Sequence, residues 1–293
     1  MKKYALLSLL FVCFKIVSVS GQKSQETVSL VNEINRLIEQ TEGRFGIAFK
    51  NLQNNDTIFI NAHEYFHAAS TMKTPVMLEV FNQEKQAKFK ITDSIIVKNE
   101  FQSIVDKSSY SLSILDDSDD ILYAKIGKKM TIQDLTYEMM TKSSNLSTNI
   151  LIDKVGAENV TKLLESLNIK ENIVLRGVED QKAFEAGLNN KTTPYGLMQI
   201  FEHIASTQAH NSLMMNILFD QKFNEIIPAN LPKNVKVAHK TGSIKGVQHD
   251  SGIVFLPDGR KYVLILLSKN LKNEDDGVKT LAQISKLIYD YMN

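Results

Sequence analysis

The chain has 293 residues, 43% of them hydrophobic and 23% charged, the make-up of an ordinary globular protein with room for a large core. Lys and Arg total 34 against 33 for Asp and Glu, so no global field points to nucleic acid or to an acidic partner. The one cysteine, Cys13, lies within the first twenty residues, so a processed protein is expected to depend on packing and not on disulfides.

Lys2-Lys3, an apolar run from Tyr4 to Phe14 and the small residues Ser18-Val19-Ser20 before Gly21 read as an export signal over 1–20, too short to span a bilayer. Val12 is not the small residue that a lipid-attachment signal wants before Cys13. Removing the signal leaves 31 basic to 33 acidic residues in a secreted or periplasmic protein free of the membrane. Residues 25–41 then place Val28, Val31, Ile34, Leu37 and Ile38 at helical spacing, ending near Gly43. Phe45 to Phe49 and Thr57 to Ile60 read as strands joined by a hairpin turn over Asn51 to Asp56.

From Thr71 to about Phe219 the periodic segments are helical, among them Thr131 to Thr141, opened by a Thr-x-x-Asp cap, and Thr193 to Ile204, with Pro194 in the first turn. Strands return at Val235 to His239, Val247 to Phe255 and Lys261 to Ser268, with Pro257-Asp258-Gly259 turning between the last two. Gly277 to Met292 closes the chain as an amphipathic helix, its apolar face formed by Val278, Leu281, Ile284, Leu287 and Ile288. Strands at both ends around a helical middle predict an α+β fold. An antiparallel sheet of about five strands is flanked by terminal helices (21–69 and 229–293), and an all-α domain is inserted over 70–228.

Three patches carry chemistry. Ser70-Thr71-Met72-Lys73 puts a hydroxyl and an amine on one face of a starting helix, where a lysine with a lowered pKa can activate the serine. Pro75 fits only if that helix begins close by. The spacing alone is weak, since Ser20-Gly21-Gln22-Lys23 matches it too. Ser143-Ser144-Asn145 adds a hydroxyl able to pass a proton and an amide able to hold a carbonyl. Lys240-Thr241-Gly242-Ser243 reads as a strand whose lysine attracts a carboxylate and whose glycine leaves the surface open.

Taken in this order, the patches resemble the penicillin-recognising serine hydrolases and, within them, the class A β-lactamases. Ser-x-x-Lys and Lys-Thr-Gly match unchanged, whereas Ser144 stands where the family has aspartate. Asn149-Ile150-Leu151 and Thr192-Thr193-Pro194 also fit, and the likeness covers nearly the whole processed chain. The resemblance implies the serine β-lactamase/DD-peptidase-like fold and assigns Ser70 as acylated nucleophile, Lys73 as its base and Ser143 as proton relay. Asn145, Lys240, Thr241 and Ser243 hold substrate, and the backbone N–H groups of Ser70 and Ser243 form the oxyanion hole.

Deacylation in this family needs a loop glutamate, and Glu179 in Arg176-Gly177-Val178-Glu179-Asp180 is the candidate, one residue further from the arginine than usual. Ala183 stands where the family often has an asparagine, Glu185 is a fallback at the wrong spacing, and a bracing pair between Glu179 and Arg176 is the rival reading. The chain has four arginines, and Ser251 takes the place of the one that usually holds the substrate carboxylate. His249 could donate there instead, or form a structural pair with Asp250. His239 points to the other sheet face.

The expected substrate is a β-lactam or a peptidoglycan-like molecule, handled by a monomer without cofactor or metal. A peptidase or esterase that turns lactams over slowly, and a non-catalytic cell-wall binding module, are the competing readings. The acidic run Asp116 to Asp120 reads as a solvated loop, His63, Glu64 and His67 as a metal cluster in composition only, and Met139, Met140, Met214 and Met215 as helix core.

Overall fold

The strand Lys261–Lys269 is buried and apolar from Tyr262 to Leu267, with no polar alternation, because both of its faces are covered. The computed structural model describes residues 25–206 and 211–293; the export signal and the Ser20 match lie outside them. Five strands, β1 (Arg44–Asn51), β2 (Thr57–Ile60), β3 (Lys236–Ile244), β4 (Val247–Phe255) and β5 (Lys261–Lys269), form one antiparallel sheet in the order β3-β4-β5-β1-β2.

Because side chains alternate along a strand, each strand feeds two cores. Phe45, Ile47, Phe49, Tyr262, Leu264 and Leu266 pack with Leu30 and Ile34 of helix α1 (25–39) and with Leu281, Ile284 and Ile288 of the closing helix α9 (Glu274–Met292). Ala48, Val263, Ile265 and Leu267 face the other way, onto the helical middle of the chain. Both terminal helices therefore cover the same face, as their apolar stripes require. Helix α9 starts a turn before the expected Gly277, because the Asn273 side chain accepts the N–H groups of Asp275 and Asp276 and the acidic first turn suits a helix N-terminus.

The middle of the chain holds α2 (Lys73–Lys85), α3 (Ile132–Thr141), α4 (Asn145–Val155), α5 (Ala157–Ser166), α6 (Gln181–Glu185), α7 (Pro194–Ser206) and α8 (Asn211–Phe219). Helix α2 is buried at every position from Lys73 to Phe81, so it forms the axis against which α3, α4 and α5 pack. Thr131 caps α3 through Asp134 N–H, as its sequence spacing predicts. The span expected as all-helical also carries short strand pairs, Ser94–Ile96 with Lys129–Thr131 and Phe101–Gln102 with Ser109–Tyr110. Lys191–Thr192 further pairs with both Phe66–His67 and Asn172–Ile173. Runs of two or three residues are too short to show a period of two, which is why the sequence hides them.

Gly46 lets β1 approach Phe66 and the start of α7: a Cβ there would lie 2.7 Å from Phe66 and 2.8 Å from Pro194. Gly46→Ala is expected to lower unfolding free energy by about 1–3 kcal/mol, read from urea melts, because both neighbours are packed rings.

Candidate active site

Three elements that are far apart in sequence meet at one point. Ser70 sits in the single turn of 3-10 helix Ala69–Met72 that leads into α2, and Pro75 falls in the first turn of α2, where its missing N–H costs nothing. Ser143 ends α3 in a left-handed turn, and Ser144 caps α4 by accepting Ser147 N–H at 3.2 Å. Strand β3 is one edge of the sheet and runs against the serine turn. A Cβ on Gly242 would stand 3.1 Å from the backbone nitrogens of both Ser70 and Thr71.

Lys73 and Lys240 are completely buried. Lys73 Nζ donates to the Ser143 carbonyl at 2.6 Å and to Asn145 Oδ1 at 2.9 Å, and lies 3.2 Å from Ser143 Oγ. Lys240 Nζ reaches the same Oγ at 3.0 Å and the Thr241 carbonyl at 2.8 Å. Burial pushes Lys73 from its usual range down to about 7, against the opposing pull of Asp117 and Glu179. Burial also lowers Lys240, and the neighbouring Lys73 charge adds to it. A neutral Lys73 amine has two hydrogens and one lone pair. The hydrogens go to the Ser143 carbonyl and Asn145, leaving a lone pair able to accept a proton.

Asn145 bridges the two halves of the site, because its Nδ2 donates to Glu179 Oε1 at 2.9 Å while its Oδ1 takes the lysine. Glu179 Oε2 also lies 3.4 Å from Ser113 N. Burial raises the Glu179 pKa, with Asp117 and Asp116 adding to the rise and Asn145 opposing it. Arg176 does not pair with Glu179: it donates to the carbonyls of Leu188 and Gly177 and to Asn189 Oδ1, bracing the loop without it. Asn149 clamps the preceding residue at both ends, accepting Val178 N–H at 2.7 Å and donating to the Val178 carbonyl at 3.0 Å. Glu185 is exposed and bonded to Gln181, and Ala183 is buried under the Asp180 cap.

Ala69, Ser143 and Glu179 all have left-handed backbone, with φ of 44°, 59° and 61°. Each lies at or beside a predicted site residue, and such conformations cost on the order of 1–3 kcal/mol apiece, a strain also present at turns away from the site such as Ala87 and Lys107. No sequence pattern announces it.

Two cavities flank Ser70. One, of about 460 Å³, is lined by Ser70, Ser143, Asn145, Thr241, Ser243 and His249 among others; the second, of about 470 Å³, shares Ser70, Asn145 and Ser243 and adds Arg176, Val178, Glu179 and Phe184.

His249 is no cationic anchor. Its Nε2 lies 2.9 Å from the His67 carbonyl, Ser268 N–H donates to its Nδ1 at 3.1 Å, and burial holds its pKa down to about 4. KM for an anionic substrate is therefore expected to show no titration of this ring between about pH 5 and 8. A midpoint near 6.5 that vanishes in His249→Gln would contradict this. Asp250 pairs instead with His239, at 2.9 Å and 3.0 Å from Nδ1, inside the sheet. Ser251 is buried and donates to the Lys240 carbonyl, so it cannot meet a substrate.

The acidic run is not uniformly solvated, since Asp119 is buried and ion-paired to Lys142, and Asp117 is bound to the start of α4. Sequence reasoning passed over Asp117, because a run of acids ordinarily marks a surface loop. It also read Asn149 only as part of a helical pattern. His63 pairs with Glu171, Glu64 with Arg44 and Lys269, and His67 Nδ1 accepts Ala69 N–H, so they form no cluster. Among the described residues no group of three or more His, Cys, Asp or Glu side chains could hold a metal ion. Met139, Met140 and Met214 are buried, and Met215 packs partly buried against the same core.

The chain is similar over its whole length to a β-lactamase of Bacteroides uniformis, 26% identical with full coverage of both proteins. A β-lactamase structure from Chitinophaga pinensis superposes with a TM-score of 0.78 at 22% identity, covering 90% of this chain and 100% of that one. A point mutant of PBP-A, solved as an acyl-enzyme complex with penicillin G, has the same fold, with a TM-score of 0.76 at 23% identity over 90% of this chain and 96% of that one. The model of the β-lactamase enzyme family matches residues 29–292. With that match spanning the sheet, both flanking helices and all three motifs, the chain belongs to the β-lactamase enzyme family.

Proposed function

We propose that this protein is an exported serine hydrolase that opens β-lactam rings through an acyl-enzyme at Ser70. The observation that carries the reading is the pair of buried lysines, Lys73 and Lys240, converging on one hydroxyl, Ser143 Oγ, beside the serine turn. Two cations with lowered affinity for protons, joined by a hydroxyl, form a proton relay, which a binding module does not need.

In the proposed cycle the Ser70 hydroxyl gives its proton to neutral Lys73 as its oxygen bonds to the lactam carbonyl carbon. The ring C–N bond breaks, and the nitrogen takes the Ser143 hydroxyl proton, which Lys73 replaces. Edge strand β3 offers Thr241 and Ser243 to the substrate, and Lys240 supplies positive potential. A water, its proton accepted by Glu179, then attacks the ester carbon, the bond from that carbon to the Ser70 oxygen breaks, and the oxygen takes the proton back as it leaves. Export rests on the residue pattern of 1–20.

A second reading, a peptidase-like enzyme that holds its acyl group, is favoured by one observation: the Glu179 carboxylate is already bonded to Asn145, and the position before it is the clamped Val178. Mixing the purified protein with a chromogenic cephalosporin, and following colour and intact mass together, separates the two. Turnover that is lost in Ser70→Ala supports the lactamase, a stable adduct without turnover supports the peptidase-like enzyme, and neither signal rejects both.

A further inference from the structure

Four hydrogen bonds converge on the Asp117 carboxylate. Oδ1 accepts Asn145 N–H at 2.9 Å and Asp119 N–H at 3.1 Å; Oδ2 accepts Leu146 N–H at 2.8 Å and the Tyr123 hydroxyl at 3.1 Å. Asn145 and Leu146 open α4, and the first N–H groups of a helix have no partner within it. The cap residue Ser144 serves only Ser147 N–H, so its uncharged side chain leaves the other amides to the loop. A carboxylate at this end is also favoured by the helix dipole.

The residue held in this way is the one whose side chain touches both Lys73 and Glu179. Two charged groups act on Lys73, Asp117 from the 113–119 loop and Glu179 from the 176–180 loop, and both favour its proton, while the Lys73 charge in turn lowers Lys240 on β3. The uncharged Ser143 and Asn145 complete its surroundings.

We propose that Asp117 is a positioning residue for acyl transfer: it fixes the Asn145 backbone from outside the helix, so that the amide is aimed between Lys73 and Glu179, and places a compensating negative charge near the buried amine. This rests on Lys73 acting as the base for Ser70. A displacement of 1 Å in such a group is enough to cost about a hundredfold in rate.

The test compares wild type, Asp117→Asn, Asp117→Ala and the exposed neighbour Asp120→Asn. Acylation by penicillin G is followed by intact mass from pH 5 to 10, and Lys73 is titrated by NMR of 13C-lysine protein, assigned with Lys73→Arg. In Asp117→Asn the Lys73 midpoint is expected to fall by about half a pH unit or more, since a compensating charge is gone. The high-pH acylation rate is expected to drop about tenfold in Asp117→Asn and about a hundredfold in Asp117→Ala, with Asp120→Asn unchanged in both measurements.

A folded Asp117→Asn protein with the wild-type midpoint and rate overturns the inference, as does an equal effect from Asp120→Asn. If Asp117→Ala does not fold, Asp117→Asn decides. If wild type forms no adduct, the proposed function fails, and the Lys73 titration alone still judges Asp117.

Discussion

Lys73→Met is expected to slow acylation of Ser70 by about 10²–10⁴-fold, the span ordinarily supplied by a positioned general base. The substitution keeps the length and burial of the side chain, so the loss reports the amine and not a cavity. The same amine sets the pH profile. Burial lowers its pKa to about 7, so it is protonated and inactive below that value and free to take the serine proton above it. Acylation in wild type should therefore rise with pH through a midpoint near 7 to a plateau. Intact-mass kinetics across pH 5 to 10 check this, and a flat profile, or a midpoint near the ordinary lysine value of about 10.4, would falsify the assignment. A Lys73→Met protein that acylates at the wild-type rate has the same consequence.

Glu179→Ala is expected to act on the second half of the reaction. Acylation should stay within a few-fold of wild type, while release of the acyl group slows by about 10²–10⁴-fold and the adduct accumulates. Glu179 is the only carboxylate that accepts a hydrogen bond from the Asn145 side chain among the described residues, and burial raises its pKa toward that of a useful base. It stands one place beyond Val178, whose backbone Asn149 fixes, and both residues line the second cavity. Transferring the carboxylate in Glu179→Ala/Val178→Glu puts it on the clamped position, at the arginine spacing usual in the family. Deacylation that recovers in this double variant would show that the wild-type register limits turnover. If Glu179→Ala deacylates as fast as wild type, Glu179 is not the base.

Most of the architecture was legible before folding. The β1–β2 hairpin, the three C-terminal strands and both terminal helices declare themselves through periods of 2 and 3.6 and through turn and cap residues, all of which are local signals. The two- and three-residue strands within 66–192 have no period to read and exist only because their partners are brought alongside. At the site, Ser70, Ser143, Asn145, Lys240, Thr241, Ser243 and Glu179 all line the cavities or bond within them. The arginine brace suspected for Glu179 is absent, because Arg176 spends its donors on loop carbonyls and Asn189.

His249 and Asp117 show the limit most clearly. The first is a histidine in a cavity wall that burial keeps uncharged, and the second is one acid in a run of four that folding sets against a helix end. By itself the amino-acid sequence determined which functional groups are present, in which elements they stand, and that nucleophile and amine share one helical turn. Only the tertiary structure decided which of them are buried, whose hydrogen bonds they accept and hence which carry charge at neutral pH. Desolvation and long-range contact depend on what lies across the fold, and residue spacing along the chain cannot encode that.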